Sequence, residues 1–439
     1  MKTQFLSSSL KSVSNLKTNE KIVSKFDVNF LIKNNKVFLL KNYGQFSYCT
    51  LIENDLEYFL ECIKLCRKTK YTSTECTFIP MKRDWEYIKN NVTIIILPIT
   101  TKCNSGCNIC FMKERDYPYK EMKIEDIKRL LSKIGKNKKV LLFGGEPTTR
   151  KDIFKIIKSI RKSGNIPSIC TNGLKLADEN FVKKLKRSGI ERVLLSFDGF
   201  REEIYEKLRD SREHLHFKLK ALKNLEKYDL KVYLTSTITS GVNENEIPKL
   251  LKFAAENNHF IVGMNLYAAT PYGKFNVTQK EQLTPSNLID ILDAASNGII
   301  NREYFIEFKK LRANLYNICK KVRIFFPPYS YYHSHILLKT ENSQFKHFIP
   351  IKYLKQINEH IKDRKLIPLI KYLIKNLNPT LAFIKLILTN FNAKFLGKNV
   401  FIIQLGNIIT PLNYIPIEYD CISVEKNKDV DITRIAGPG

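Results

Sequence analysis

From Thr93 onward the chain alternates short apolar runs with longer amphipathic ones, which is the pattern of strands and helices in repeated βα units. Six runs read as strands: Thr93–Ile99, Lys139–Phe143, Pro167–Cys170, Arg192–Phe197, Lys231–Ile238 and Phe260–Tyr267. Most are rich in Val, Ile and Leu, as parallel strands covered on both faces are. Between them Ile124–Ile134, Asp152–Ser163, Glu179–Ser188, Phe217–Tyr228 and Glu246–Asn257 carry helical periodicity, and Gly135, Gly164 and Gly189 stand where helices stop. Right-handed connections close such units toward a barrel whose chemistry lies at the carboxyl ends of its strands. Six units rather than eight predict an α/β fold built on a partial (β/α)6 TIM-like barrel, open on one side.

The flanks read differently. Residues 1–90 form an expected N-terminal cap, with a hairpin of Phe30–Ile32 and Lys36–Lys41 about Asn34 and Asn35, then a helix over Glu57–Cys66. Residues 91–275 are the expected core barrel. Residues 276–439 are expected to be a mostly helical, basic region that covers substrate, with one helix at Pro285–Ala295 and Lys alternating with Leu or Ile at helical spacing between Tyr353 and Leu396. The most apolar windows, Leu366–Ile374 and Leu381–Leu388, are broken by Lys371 and Lys385 and fall short of the roughly 20 residues a bilayer needs. The start, Met1 to Asn15, lacks the apolar stretch of a secretory signal. The expectation is a cytoplasmic protein, with the stretch from Tyr353 to Leu396 either resting on an anionic membrane or forming an ordinary helix pair broken by Pro368 and Pro379.

Charge widens the range of partners. Lys and Arg number 73 against 43 Asp and Glu, leaving +30 spread along the length. Such a surface attracts nucleic acid, anionic lipid or anionic small molecules, and it also arises from composition alone without naming a partner. Ten cysteines in a chain without a secretory signal point to a reducing compartment, where clustered thiols hold metals more often than disulfides.

The cluster that matters is Cys103-Asn-Ser-Gly-Cys107-Asn-Ile-Cys110, in the loop after the first predicted barrel strand. Three thiolates at this spacing suit a four-iron cubane and leave one iron open to a chelating ligand, whereas a zinc site wants a fourth Cys or His close by. After the second strand comes Gly144-Gly145-Glu146-Pro147-Thr148. Thr171-Asn172-Gly173 follows the third strand, Ser196-Phe197-Asp198-Gly199 the fourth, and Thr235 with Gly241-Val242-Asn243 lies at and after the fifth. All fall on one rim.

On these residues the chain resembles the radical SAM superfamily, with its CxxxCxxC loop, an aromatic neighbour at Phe111 and a GGEP segment. The resemblance implies a [4Fe-4S] cluster held by Cys103, Cys107 and Cys110, and S-adenosylmethionine seated against Gly144, Gly145, Glu146 and Pro147. It implies that Thr171 and Ser196 hold the ribose or methionine carboxylate, with Asn172, Asp198 and Thr235 as neighbours. It also implies reductive cleavage of the sulfonium to a 5′-deoxyadenosyl radical that removes hydrogen from an unactivated carbon.

Beyond the core, Lys36–Lys41 with Gly44 to Phe46, Gly263 to Leu266 with Ser296 to Ile300, and Asn399 to Cys421 resemble the group containing archaeal tetraether lipid synthase and the methanogen pterin-methylating enzymes. That group implies a lipid or pterin-like small-molecule substrate, methylation or carbon–carbon coupling, and an electron donor of ferredoxin or flavodoxin type. Most of its auxiliary cysteines are missing here. Cys49, Cys62, Cys66 and Cys76 are open to a second centre or to plain packing, and packing is the simpler role for Cys170 and Cys319. His333 and His335, beside Tyr329, Tyr331 and Tyr332, line a substrate entrance or pack. The alternatives are an RNA-modifying enzyme of the same chemistry, motivated by charge alone, and a binding module that has lost catalysis; nucleic acid ranks below lipid or pterin because no RNA-binding motif is present.

Overall fold

The computed structural model describes residues 26–43, 46–68, 89, 94–110, 121–270, 274–321, 334–362, 366–388 and 399–407. Phe111, Cys76, Cys421, His333 and the tyrosines at 329, 331 and 332 lie outside the described residues, as do the side chains of Cys49, Cys66 and His335.

The barrel strands form where the apolar runs predict them. β4 (Ile94–Thr100), β6 (Lys139–Gly144), β7 (Ile166–Thr171), β8 (Arg192–Ser196), β9 (Lys231–Ile238) and β10 (Ile261–Ala268) lie side by side in that order, each parallel to the next. Helices α2 (Ile124–Ile134), α3 (Ile153–Lys162), α4 (Glu179–Ser188), α6 (His214–Lys227) and α7 (Ile247–Glu256) make the crossovers. Each crossover helix turns an aliphatic row inward: Ile153, Ile156, Ile157 and Ile160 of α3 are all buried against the sheet. The fold is the expected α/β partial barrel.

The sheet continues past the sixth strand. β14 (Val400–Asn407) pairs parallel with β10, and the hairpin β12 (Ser334–Glu341) and β13 (Gln344–His347) adds antiparallel to β14, giving nine strands in one sheet among the described residues. A seventh parallel strand thus comes from the far C-terminal stretch. The helices of that region are α8 (Pro285–Ala295), α9 (Arg302–Lys321), α10 (Ile351–Lys362), α11 (Leu366–Lys375) and α12 (Leu377–Leu388).

The N-terminal hairpin, β1 (Phe26–Lys33) and β2 (Lys36–Tyr43), acquires a third antiparallel strand, β3 (Phe46–Glu53), before α1 (Leu56–Lys68). This block docks on α8 and α9. The Glu53 carboxylate accepts from Thr284 Oγ1 at 2.8 Å and from Ser286 Oγ, and Arg302 bonds Asp55 at 2.6 Å. Cys62 is buried there with Lys309 Nζ 3.0 Å from its sulfur, a packed thiol.

Candidate active site

The cysteine loop leaves the end of β4 and is fastened at three places. Its middle docks on the C-terminus of α5 (Glu202–Arg209), a helix absent from the sequence reading. Asn108 donates from its backbone N–H to Leu208 O (3.0 Å) and from Nδ2 to Lys207 O (2.9 Å), which supplies donors to carbonyls that the helix end leaves open. Asp210 then binds the loop itself, taking the Gly106 N–H on one carboxylate oxygen and the Ser105 hydroxyl on the other at 3.1 Å. The far end forms a short ladder in which β5 (Ile109–Cys110) pairs with β11 (Lys274–Phe275).

The third fastening is the glycine ledge. Gly145 N–H donates to Thr100 O and Glu146 N–H to Lys102 O, both at 2.8 Å. A Cβ on Gly145 would stand 2.5 Å from Thr101 O and closer still to Lys102 O, and Gly144 has φ 133° with the Thr100 carbonyl directly over the Cβ position. The glycines are therefore required by the approach of the chain's own cysteine loop. Both remain half-buried, so one side of the ledge stays open.

Cys103 is exposed, while Cys107 and Cys110 are half-buried. Desolvation, with smaller repulsions from Glu146, Cys107 and Cys110, pushes the Cys103 thiol up to about 11, so its thiolate form calls for a cation beside it. Among the described residues no three His, Cys, Asp or Glu side chains converge as ligands of a single ion. A cubane gives each thiolate a different iron and so spreads its ligands wider than a mononuclear site does, and an all-thiolate set matches iron–sulfur chemistry.

The residues expected at the rim divide into two groups. Glu146 is buried, with Oε1 accepting from Thr148 N (3.0 Å), Thr148 Oγ1 (2.6 Å) and Thr171 Oγ1 (2.7 Å), and Oε2 accepting from Asn172 N (2.7 Å). Pro147 is buried at the start of the short turn that follows. Thr171 pairs in register with Leu195, whose side chain faces the helices, and its hydroxyl is spent on Glu146. Asp198 is fully buried, and its carboxylate is shared between Arg209 and the Thr237 N–H. Burial alone would raise Asp198, but the Arg209 guanidinium outweighs it and holds the carboxyl below its ordinary range. Asn243 closes the same knot, donating to Asp198 O and Thr237 O. The chain itself thus occupies the functional groups of Glu146, Thr171 and Asp198.

Ser196, Thr235 and Asn172 are placed differently. Ser196, Thr235, Asn265 and Gln404 are consecutive register partners across β8, β9, β10 and β14, so their side chains share one face of the sheet, toward the barrel interior. Asn265 Nδ2 donates to Thr235 Oγ1 at 3.3 Å. Ser196 Oγ is buried without a hydrogen-bond partner among the described residues, the state of an atom awaiting a bound polar group. Asn172 reaches the cysteine loop, donating from Nδ2 to Asn104 Oδ1 at 2.8 Å with Cys103 Sγ 4.0 Å away. Cys170 and Tyr267 also face inward, and burial pushes the Cys170 thiol up to about 12.

Two further residues escaped the sequence reading. Arg209 binds Asp198 through two bonds and also hydrogen-bonds Cys107, tying the rim to the cysteine loop. Lys218 of α6 is buried and donates to Asn172 O (2.7 Å) and Ser196 O (2.5 Å), clasping the ends of β7 and β8; burial and the nearby Arg209 lower it to about 8, although Asp198 opposes them. A Lys in an otherwise apolar helical row was the one signal available. A cavity of 210 Å³ beside α5 is lined by Arg201, Glu203, Lys207, Glu244 and Lys280, where both signs of charge meet.

The sequence model of the Radical SAM superfamily matches residues 97–254. The 7,8-dihydro-6-hydroxymethylpterin dimethyltransferase of Methanocaldococcus jannaschii is 31% identical over 226 residues, 49% of this chain and 44% of that protein. The GTP 3',8-cyclase of Clostridium perfringens is 33% identical over 171 residues, 37% of this chain and 51% of that protein. The chain spans about half the length of these curated relatives. Among solved structures, Streptococcus suis SuiB bound to S-adenosylmethionine superposes with a TM-score of 0.41 at 18% identity, covering 62% of this chain and 69% of that one.

Proposed function

Residues 97–254 belong to the radical SAM superfamily, and from that premise we propose that the chain is an enzyme that cleaves S-adenosylmethionine at a [4Fe-4S] cluster and removes hydrogen from an unactivated C–H of a pterin-like or lipid substrate. When bound, the cluster and S-adenosylmethionine supply an electron and, from it, a 5′-deoxyadenosyl radical. The chain's own part is to hold, orient and exclude water.

One observation carries the reading: the loop of Cys103, Cys107 and Cys110 is clamped between the α5 terminus and the Gly144–Gly145 ledge, with the unpartnered Ser196 hydroxyl on the same rim. In this reading Cys103, Cys107 and Cys110 are the iron ligands, the open side of Gly144 and Gly145 meets the ligand's methionine end, and Ser196, Thr235 and Asn172 offer it hydrogen bonds. Glu146, Pro147, Thr171 and Asp198 act behind them, keeping the rim in shape. The row of Thr235, Asn265 and Gln404 lines the interior where substrate would sit. The pterin reading is supported by what the Methanocaldococcus relative is named for, and the ligands' reducing electron would come from a ferredoxin- or flavodoxin-type donor.

The test is anaerobic reconstitution of the full chain, followed by incubation with dithionite and S-adenosylmethionine. Uptake of about four irons per chain and release of 5′-deoxyadenosine are expected. Loss of both in Cys107→Ala is the matching control. A protein that takes up no iron, or that holds iron and never consumes S-adenosylmethionine, sinks the reading.

A further inference from the structure

The outer side of the α11–α12 pair carries a feature that the barrel does not use. Ile367, Ile370, Ile374, Leu377, Leu381 and Ile384 are all exposed, from 43% for Ile384 to 69% for Ile367. Their spacing of three and four residues puts them on one stripe. The two helices meet at a bend at Asn376, where Asn376 N–H donates to Tyr372 O (3.2 Å), Thr380 N–H to Asn376 O (3.0 Å) and Thr380 Oγ1 to Leu373 O (2.7 Å), and the exposed residues of both lie on its outer side. Their opposite side is already occupied, since the Tyr353 ring of α10 lies tilted 5.4 Å from Tyr372 and edge-on 6.3 Å from Phe383, and its hydroxyl bonds Thr380 Oγ1 at 2.8 Å. Among the described residues nothing covers the exposed stripe.

Charge decides what it fits. Lys371, Lys375 and Lys385 each follow a stripe residue directly and are exposed, so a basic row runs alongside the apolar one. Residues 366–388 contain no Asp or Glu. A second copy laid against this stripe would bring lysine rows together with no carboxylate to answer them, which disfavours self-pairing. A bilayer surface with anionic headgroups answers both rows at once, because the apolar side chains enter the acyl boundary while the lysines extend to phosphate. No described helix is long and apolar enough to cross a membrane, so the pair would lie in the plane of the interface.

We propose that the Ile367–Ile384 stripe of α11–α12 is a docking face for an anionic membrane surface. The inference stands apart from the reaction proposed above and is tested without it. The full chain is floated with vesicles of phosphatidylglycerol and phosphatidylcholine in equal parts, and with phosphatidylcholine alone. Binding to the anionic vesicles is expected, falling about tenfold in Ile374→Asp/Leu381→Asp and again in Lys371→Glu/Lys375→Glu/Lys385→Glu. The two variants change different exposed side chains, so if one misfolds by circular dichroism the other still decides. Failure of the wild type to float with anionic vesicles overturns the proposal, as does equal flotation of a folded variant. A dimer in sedimentation velocity that the Asp substitutions dissolve, without vesicle binding, assigns the face to a second copy and overturns it too.

Discussion

Asp198 and Arg209 face each other in a two-bond ion pair, Nε to Oδ2 at 2.7 Å and Nη2 to Oδ1 at 2.9 Å, behind the cysteine loop. Asp198 is the fully buried partner and Arg209 is nearly so, with the guanidinium also touching Cys107. The pair therefore transmits the position of the fourth strand end to the middle cysteine.

Removing the carboxylate charge leaves a guanidinium without its counterion in a dry place. Asp198→Asn is expected to lower unfolding free energy by about 3–5 kcal/mol and, under the proposed function, to loosen iron retention. Urea unfolding and iron content after desalting check this; a change below about 1 kcal/mol would show the pair to be dispensable.

The ledge predicts a sharper effect from a smaller change. In Gly145→Ala the new methyl collides with backbone at residues 101–102, which has no flexible end to swing away. The loop carrying Cys103 must shift, and under the proposed function 5′-deoxyadenosine release should fall at least about a hundredfold, as misplacement of reacting groups by an ångström does. Near wild-type turnover would show that the loop and the ledge move independently.

Ser196 offers the opposite sign. Its hydroxyl has no partner among the described residues, so Ser196→Ala should be neutral or stabilising by about 1 kcal/mol, because an unsatisfied buried polar group is removed. Under the proposed function the same change should raise KM for S-adenosylmethionine about tenfold with little change in kcat, the mark of lost binding. Unchanged KM would release Ser196 from any role in ligand binding.

Lys218 gives a pH signature. Its folded pKa of about 8 lies below the ordinary lysine value, so between about 8 and 10.4 the unfolded chain binds more protons than the folded one. This contribution to stability rises with pH across that window and is flat below it. Subtracting the unfolding free energy of Lys218→Met at each pH isolates the group; a difference that falls or stays level from pH 8 to 10 would contradict the placement of its ammonium.

What was legible depended on whether the information was local. The strand at Ile94–Thr100 is an unbroken apolar run because both its faces are covered, and the short motifs at the strand ends are contiguous. The N-terminal hairpin was legible through Asn34 and Asn35, both at positive φ. The β12–β13 hairpin turns on Asn342 and Ser343 at φ 50° and 57°, an equally local cue. Pairings between distant residues could not be read at all. Nothing near Gln404 says that it will sit beside Asn265, and nothing near Asp198 says which of several arginines will answer it. The partners of Glu146 show the remaining limit: a motif identifies a position, but whether its carboxylate meets a ligand or the chain is settled by three-dimensional packing.

The position of β14 bears on the order in which this molecule can be assembled. The cysteine loop leaves the ribosome long before Val400–Asn407 is made, and until that strand arrives the outer edge of β10 has no parallel neighbour. A pairing of such long sequence separation is slow to close. The nascent barrel therefore waits with the outer edge of β10 unpaired, and the row that ends in Asn265 is completed by Gln404 only when the last parallel strand arrives.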